Sequence, residues 1–209
     1  MANFEDELLQ TFGGGVRTNP TGLTIIFIAD THGDLRFHKE RLDNLPRYDL
    51  CVLLGDHSDQ ELCIIKEKID NRRLFGVLGN HDMRDQYIKA GIKDLTSARL
   101  TVGGVRIGGL GGSFKYKQSP HYALLTHDES MELAKKFDDK TIDILVSHDK
   151  PYTVGTGDDT HDGLKGITYA IYKNHLPLHF HGHLHKPATA TLKNGCRSRC
   201  IYGIEVVTL

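Results

Sequence analysis

Short apolar runs rich in β-branched residues recur along the chain at Leu23 to Ala29, Leu50 to Leu54, Leu74 to Leu78 and Ile142 to Val146. Runs of this length, bounded by Gly, Asp or Asn, predict buried strands. Between them, Leu35 to Leu45, Glu61 to Asp70 and Asp128 to Phe137 carry apolar residues at helical spacing and predict helices. In the second half, Arg99 to Val102 and Val105 to Gly109 read as a hairpin around Gly103-Gly104. Thr189 to Lys193 and Arg199 to Val207 flank a second turn at Asn194-Gly195, and Leu178 to Phe180 adds one more strand. Strands alternating with helices, then hairpins, predict an α/β chain with two sheets packed face to face and helices outside.

The first 22 residues differ from this pattern. A short amphipathic piece with Phe4, Leu8 and Leu9 leads into Gly13-Gly14-Gly15 and Asn19-Pro20-Thr21-Gly22. We read residues 1–22 as an N-terminal arm and 23–209 as one domain, a size that a single core accommodates. The glycines lack the Lys-Ser or Lys-Thr and the preceding strand of a phosphate-binding loop. Gly108 to Ser113 lacks the spacing of a dinucleotide site and reads as a close-packed turn.

Composition narrows the function. Charged residues make up 25% and hydrophobic residues 39% of the 209, a globular mixture. No apolar run reaches the length of a membrane span, and the longest has an acidic flank at Glu5, Asp6 and Glu7, so no signal peptide is read and a cytoplasmic location is expected. A formal net charge of −1 gives no broad pull on DNA or RNA. The four cysteines form no CxxC pair and read as isolated, reduced thiols rather than a zinc knuckle.

Histidine is what stands out, with thirteen in the chain. Five short motifs follow predicted strands: Asp30-Thr31-His32-Gly33, Gly55-Asp56-His57-Ser58-Asp59, Gly79-Asn80-His81-Asp82, Ser147-His148-Asp149, and His181-Gly182-His183-Leu184-His185. One alone would be an ordinary polar turn. Together they bring carboxylates, an amide oxygen and imidazoles to one end of the strands, a ligand mixture suited to divalent transition metals. A carboxylate between two cations offsets their repulsion, and Asp56 is the candidate bridge. Water held by such a pair loses a proton near neutral pH and can attack phosphorus as a bridging hydroxide.

The ordered set Asp30-x-His32, Gly55-Asp56, Gly79-Asn80-His81-Asp82, His148 and Gly182-His183-x-His185 resembles the calcineurin-like metallophosphoesterase superfamily, from Leu23 to about Pro187. The resemblance implies a four-layer α/β/β/α sandwich with two metals at the strand ends. It assigns Asp30, His32, Asp56 and His185 to one metal, and Asp56, Asn80, His148 and His183 to the other. It gives His81 the role of protonating the leaving oxygen, with Asp59 as the carboxylate that orients it and Asp82 as the rival. The Arg-Gly that follows the second aspartate in the protein-phosphatase branch is replaced by Gln60-Glu61, which disfavours that branch.

Other assignments stay open at this level. Arg84 either neutralises a phosphate oxygen or is a solvated charge at a helix start. His57 sits near the site in a supporting or substrate-binding role. His179 and His181 share a strand face with His183 and read as buried supports rather than ligands. The acidic loop Gly155 to Gly163, with Asp158, Asp159, His161 and Asp162, either rims the pocket or is a solvated turn.

The expected activity is two-metal hydrolysis of a phosphate ester, with a diester favoured and a small phosphate ester or nucleotide as substrate. The alternatives are a phosphomonoesterase, including a protein or nucleotide phosphatase, a nuclease working in a complex, and a metal-binding scaffold without catalysis. Manganese is the first metal to test, while iron, nickel and zinc suit the same ligands.

Overall fold

The computed structural model describes residues 3–117, 119–138, 141–153 and 162–209. The first apolar run forms β1 (Thr24–Ala29). Its Ile25, Phe27 and Ala29 enter one hydrophobic core while Ile26 and Ile28 enter another, the alternation of a strand covered on both faces. β2 (Leu50–Leu53), β3 (Leu74–Gly76) and the short β4 (Lys93–Asp94) extend from it in parallel. β13 (Gly203–Thr208) closes the other side of β1 antiparallel, giving the order β13-β1-β2-β3-β4.

The second sheet contains β5 (Arg99–Val102), β6 (Val105–Leu110), β9 (Ile144–Ser147), β10 (Leu178–His181), β11 (Ala188–Thr191) and β12 (Arg197–Cys200), in the order β11-β12-β10-β9-β6-β5. Its four inner strands are parallel, and β5 and β11 are antiparallel edges. A two-stranded pair, β7 (Ser113–Phe114) with β8 (Leu124–Leu125), stands apart.

Three cores bind four layers. The central one joins the sheets through Phe27 and Phe180, stacked with ring centroids 4.6 Å apart, and through Val52, Val77, Ile107 and Val146. The second packs Leu42 of α2 (Lys39–Asp43), Leu62 and Ile65 of α3 (Asp59–Lys68) and Tyr87 of α4 (Gln86–Ala90) on the first sheet. The third packs Leu8 of α1 (Phe4–Phe12), Ala134 of α5 (His127–Lys135) and Ile167, Ala170 and Ile171 of α6 (Lys165–Lys173) on the second. This is the expected α/β/β/α sandwich.

Three local expectations change. Leu35 to Leu45 is a 3-10 turn over Leu35–His38 followed by the short α2, not one helix. Arg199 to Val207 is not one strand: the chain leaves β12, passes Ile201 and Tyr202, and enters β13 in the other sheet. A buried Ile201 at the crossing belongs to the central core, so the apolar run continues while the hydrogen-bond partners change. Gly108 to Leu110 lies within β6, where a side chain at Gly109 would press on Leu95. The segment read as an arm contains α1, which packs on α6; Leu8 is buried and Tyr172 Oη donates to Glu5 at 2.6 Å. All four cysteines are free thiols, Cys63 exposed and the others buried. Among the described residues, no helix is long and apolar enough to cross a membrane.

Candidate metal centre

The five motifs occupy the loops after β1, β2, β3, β9 and β10, at the carboxyl ends of parallel strands. The backbone there is unusual. Among the described residues seven non-glycines have left-handed φ, and five of them are Asp30 (53°), His32 (46°), Asp56 (63°), His183 (72°) and His185 (51°). Such conformations are disfavoured by contact between Cβ and the backbone, so their concentration in motif residues marks a site where geometry is kept against local preference. Gly182 shows why glycine adjoins them, since a Cβ there would lie 2.6 Å from Asp30 Oδ2.

Two carboxylates cross-brace the loops. Asp82, fully buried, accepts the backbone N–H groups of Asp56 (2.9 Å) and Gly79 (2.7 Å) on Oδ2 and that of His57 (3.0 Å) on Oδ1. Glu61 accepts from Gly33 (2.8 Å) and Ser58 (2.8 Å) on Oε2 and from Leu35 (2.8 Å) on Oε1. Glu61 is also the N3 residue of a capping box with Ser58, so the start of α3 fastens the β1 loop to the β2 loop.

The side chains then converge. Ligand atoms of Asp30, His32, Asp56 and His185 lie within 4.8 Å of one another. His32 Nε2 is 2.9 Å from His185 Nε2 and 3.6 Å from Asp56 Oδ2, and His185 Nε2 is 3.7 Å from Asp30 Oδ1. On the other side, His148 Nε2 is 3.5 Å from Asp56 Oδ2 and 2.8 Å from Asn80 Oδ1. The His148 and His183 ring centroids are 5.0 Å apart, and His183 Nε2 is 4.0 Å from Asp149 Oδ1. Asp56 Oδ2 is therefore common to both groups, the placement a bridging carboxylate requires.

These atoms fit cations by a test independent of the motif. Asp30 Oδ1 and Asp56 Oδ2 are buried and accept no hydrogen bond among the described residues. His148 Nδ1 donates to the Leu54 carbonyl at 2.7 Å, which in the neutral ring leaves Nε2 as a lone pair facing two oxygens. Burial holds His148 neutral by lowering it to about 4. Buried acceptors facing one another without donors are costly, and a divalent cation resolves the conflict. Burial, then the charge of Asp56, raises Asp30 to about 8, the response of a carboxylate deprived of a positive partner.

The remaining site residues separate. His81 is exposed, with its ring 5.1 Å from that of His32 at an edge-on 86° and its backbone N–H on Asp56 Oδ1 at 2.8 Å. Asp59 does not orient it: Asp59 Oδ1 accepts from Gln86 Nε2 at 3.0 Å, and no bond joins it to His81 among the described residues. Asp82 is likewise committed to backbone N–H groups, a brace instead of a proton-transfer partner. Arg84 donates to the carbonyls of Pro120 (3.1 Å) and Leu124 (3.0 Å), which ties down a loop and spends its fork geometry. His57 is buried against Thr31, 2.7 Å from Nδ1 to Oγ1, out of a substrate's reach. His179 is buried between Ser147 and Ser198, and His181 is buried beside it. Residues 155–161 of the acidic loop Gly155 to Gly163 lie outside the described residues. Sequence reasoning missed Glu61 and Gln86; only Glu61 left a signal there, as the Ser58-x-x-Glu61 capping box.

Comparison with known proteins agrees with this architecture. No curated protein shows significant similarity to the chain. Among solved structures it is similar to TT1561 of Thermus thermophilus (TM-score 0.64, 13% identity, covering 90% of this chain and 99% of that one). A dimetal phosphatase from Danio rerio (TM-score 0.56, 14% identity, 91% and 93% covered) shares the fold. So does the phosphopantetheinyl hydrolase PptH from Mycobacterium tuberculosis (TM-score 0.52, 14% identity, 86% and 89% covered). The sequence profile of the calcineurin-like phosphoesterases matches residues 23–187, most of the chain and all five motifs, and the protein belongs to that family.

Proposed function

We propose that the protein is a metal-dependent hydrolase of phosphate esters, most suited to phosphodiesters. The observation that carries this reading is Asp56 Oδ2, a buried oxygen that accepts no hydrogen bond among the described residues, 3.6 Å from His32 Nε2 and 3.5 Å from His148 Nε2. Such an atom would suit two cations, which Asp30, His32 and His185 would hold on one side and Asn80, His148 and His183 on the other. When bound, divalent cations there supply an acidified water and polarise the phosphoryl oxygens. The family membership and the dimetal phosphatase named above support the same chemistry.

The chain's own residues supply the rest. Asp56 is held on both sides, by Asp82 at its backbone N–H and by the His81 N–H at Oδ1, so its free oxygen keeps one direction. Exposed beside His32, His81 is the side chain to which this reading assigns protonation of the departing alkoxide. The position of Arg84 supports the diester reading. Its guanidinium is engaged with carbonyls, so it does not meet the second negative charge of a monoester. A diester carries only one.

Hydrolysis of bis-p-nitrophenyl phosphate and p-nitrophenyl phosphate, with and without manganese, tests this reading. We expect metal-dependent turnover favouring the diester, a loss of at least about a hundredfold in Asp56→Asn, and a fall in kcat of about a hundredfold in His81→Ala with metal binding retained. Two bound metals with no turnover on either ester would support a binding scaffold instead. Faster monoester hydrolysis would overturn the diester preference alone.

A further inference from the structure

Asn80 is anchored by a residue that lies outside every motif. The two ends of its amide face different ways: Oδ1 lies 2.8 Å from His148 Nε2, and Nδ2 donates to the hydroxyl of Tyr116 at 3.3 Å. Tyr116 follows β7, and that segment is fixed from several directions. The Phe114 N–H donates to Asp149 Oδ2 at 3.0 Å, and the Lys115 N–H donates to the Leu125 carbonyl at 2.9 Å. Asp149 is fully buried and directly follows His148, so the strand leading to Tyr116 hangs from the neighbour of a candidate ligand. The Lys117 ammonium stands 5.3 Å from the Tyr116 ring centre and 4.5 Å from that of Tyr122.

Tyr116 remains 37% exposed. It is therefore not a core residue whose hydroxyl meets a partner through packing. An asparagine side chain has two rotatable bonds, and an amide left without an outer partner samples several orientations. Fixing it before a cation arrives removes that ordering cost from binding.

We propose that Tyr116 is a positioning residue for the metal centre. Its hydroxyl accepts from Asn80 Nδ2, holds Oδ1 towards His148, and so sets the affinity of the cation position on that side. The inference rests on the two-cation reading above. Removing the outer partner of a metal ligand typically weakens binding by about 10- to 100-fold.

Manganese titration by calorimetry and electron paramagnetic resonance, on wild type, Tyr116→Phe, Asn80→Ala and the double variant, tests it without reference to turnover. Tyr116→Phe keeps the ring and its contact with Lys117, so metal-free circular dichroism should match wild type. One of the two binding steps should weaken about tenfold or more in Tyr116→Phe while the other is unchanged. Adding the change to Asn80→Ala should cost nothing further. Wild-type affinity at both steps in Tyr116→Phe, equal weakening of both, or additive losses in the double variant would overturn the inference and leave the two-cation reading standing. A wild type that binds no second manganese would remove that reading, and this inference with it.

Discussion

Asp82 shows how much a single buried carboxylate can organise. Three backbone N–H groups from two loops end on it, so Asp82→Ala leaves them without partners in a buried setting. A loss on the order of 3 kcal/mol is expected, read by urea unfolding, together with weaker metal binding because Asp56 loses its brace. Gly182→Ala tests the opposite constraint. The added methyl would lie 2.6 Å from Asp30 Oδ2, so metal binding should fall sharply while far-ultraviolet circular dichroism stays near wild type. Asp30 itself predicts proton linkage. Burial, then the charge of Asp56, raises it to about 8, so the metal-free protein carries that proton at pH 7. A cation favours the carboxylate and expels the proton. Calorimetry in buffers of differing ionisation heat should therefore detect about one proton released from Asp30 per centre filled at pH 7, fading above pH 8.

At the scale of elements, the starts of helices matter more to the site than their lengths. α3 begins at Asp59, and the Glu61 of its capping box also holds Gly33 and Leu35 beyond the first motif. Glu61→Ala should cost about 2 to 4 kcal/mol and loosen His32, seen as weaker metal binding in the same sample. α1 should behave differently. It packs on α6 through Leu8, on the outer face of the second sheet. Leu8→Ala should lower stability by about 2 kcal/mol in thermal or urea unfolding without changing metal affinity. The crossing at Ile201 and Tyr202 separates two elements that read as one in the sequence, because an apolar, β-branched run fits either sheet and alternation does not name a partner strand.

For the whole molecule, buried histidines link stability to pH. His179 is held well below its ordinary value by burial, then by His181; burial also lowers His181, to about 3. Their folded-state values lie below the unfolded value near 6.5, so the unfolded chain binds more protons as the pH falls. The stability they permit is fully present above pH 6.5 and is lost on acidification towards their folded values. Urea unfolding of the metal-free protein should show a decline of about 1.4 kcal/mol per pH unit for each such histidine below about pH 6.5. The strands, the layer order and the ligand motifs were legible in the chain because strands covered on both faces read as short apolar, β-branched runs and metal chemistry restricts residue types. Whether neighbouring polar residues point at the centre was not legible, since Asp59, Asp82, Arg84 and His57 lie in or beside the same motifs as the ligands. Their roles depend on which atoms from distant segments arrive beside them: Gln86 at Asp59, the Asp56 and His57 amides at Asp82, the Pro120 and Leu124 carbonyls at Arg84. Sequence determined the family, the fold and a candidate ligand set. Only the tertiary structure decided which polar side chains brace the loops, because a hydrogen bond is settled by the relative position of two groups that sequence spacing leaves free.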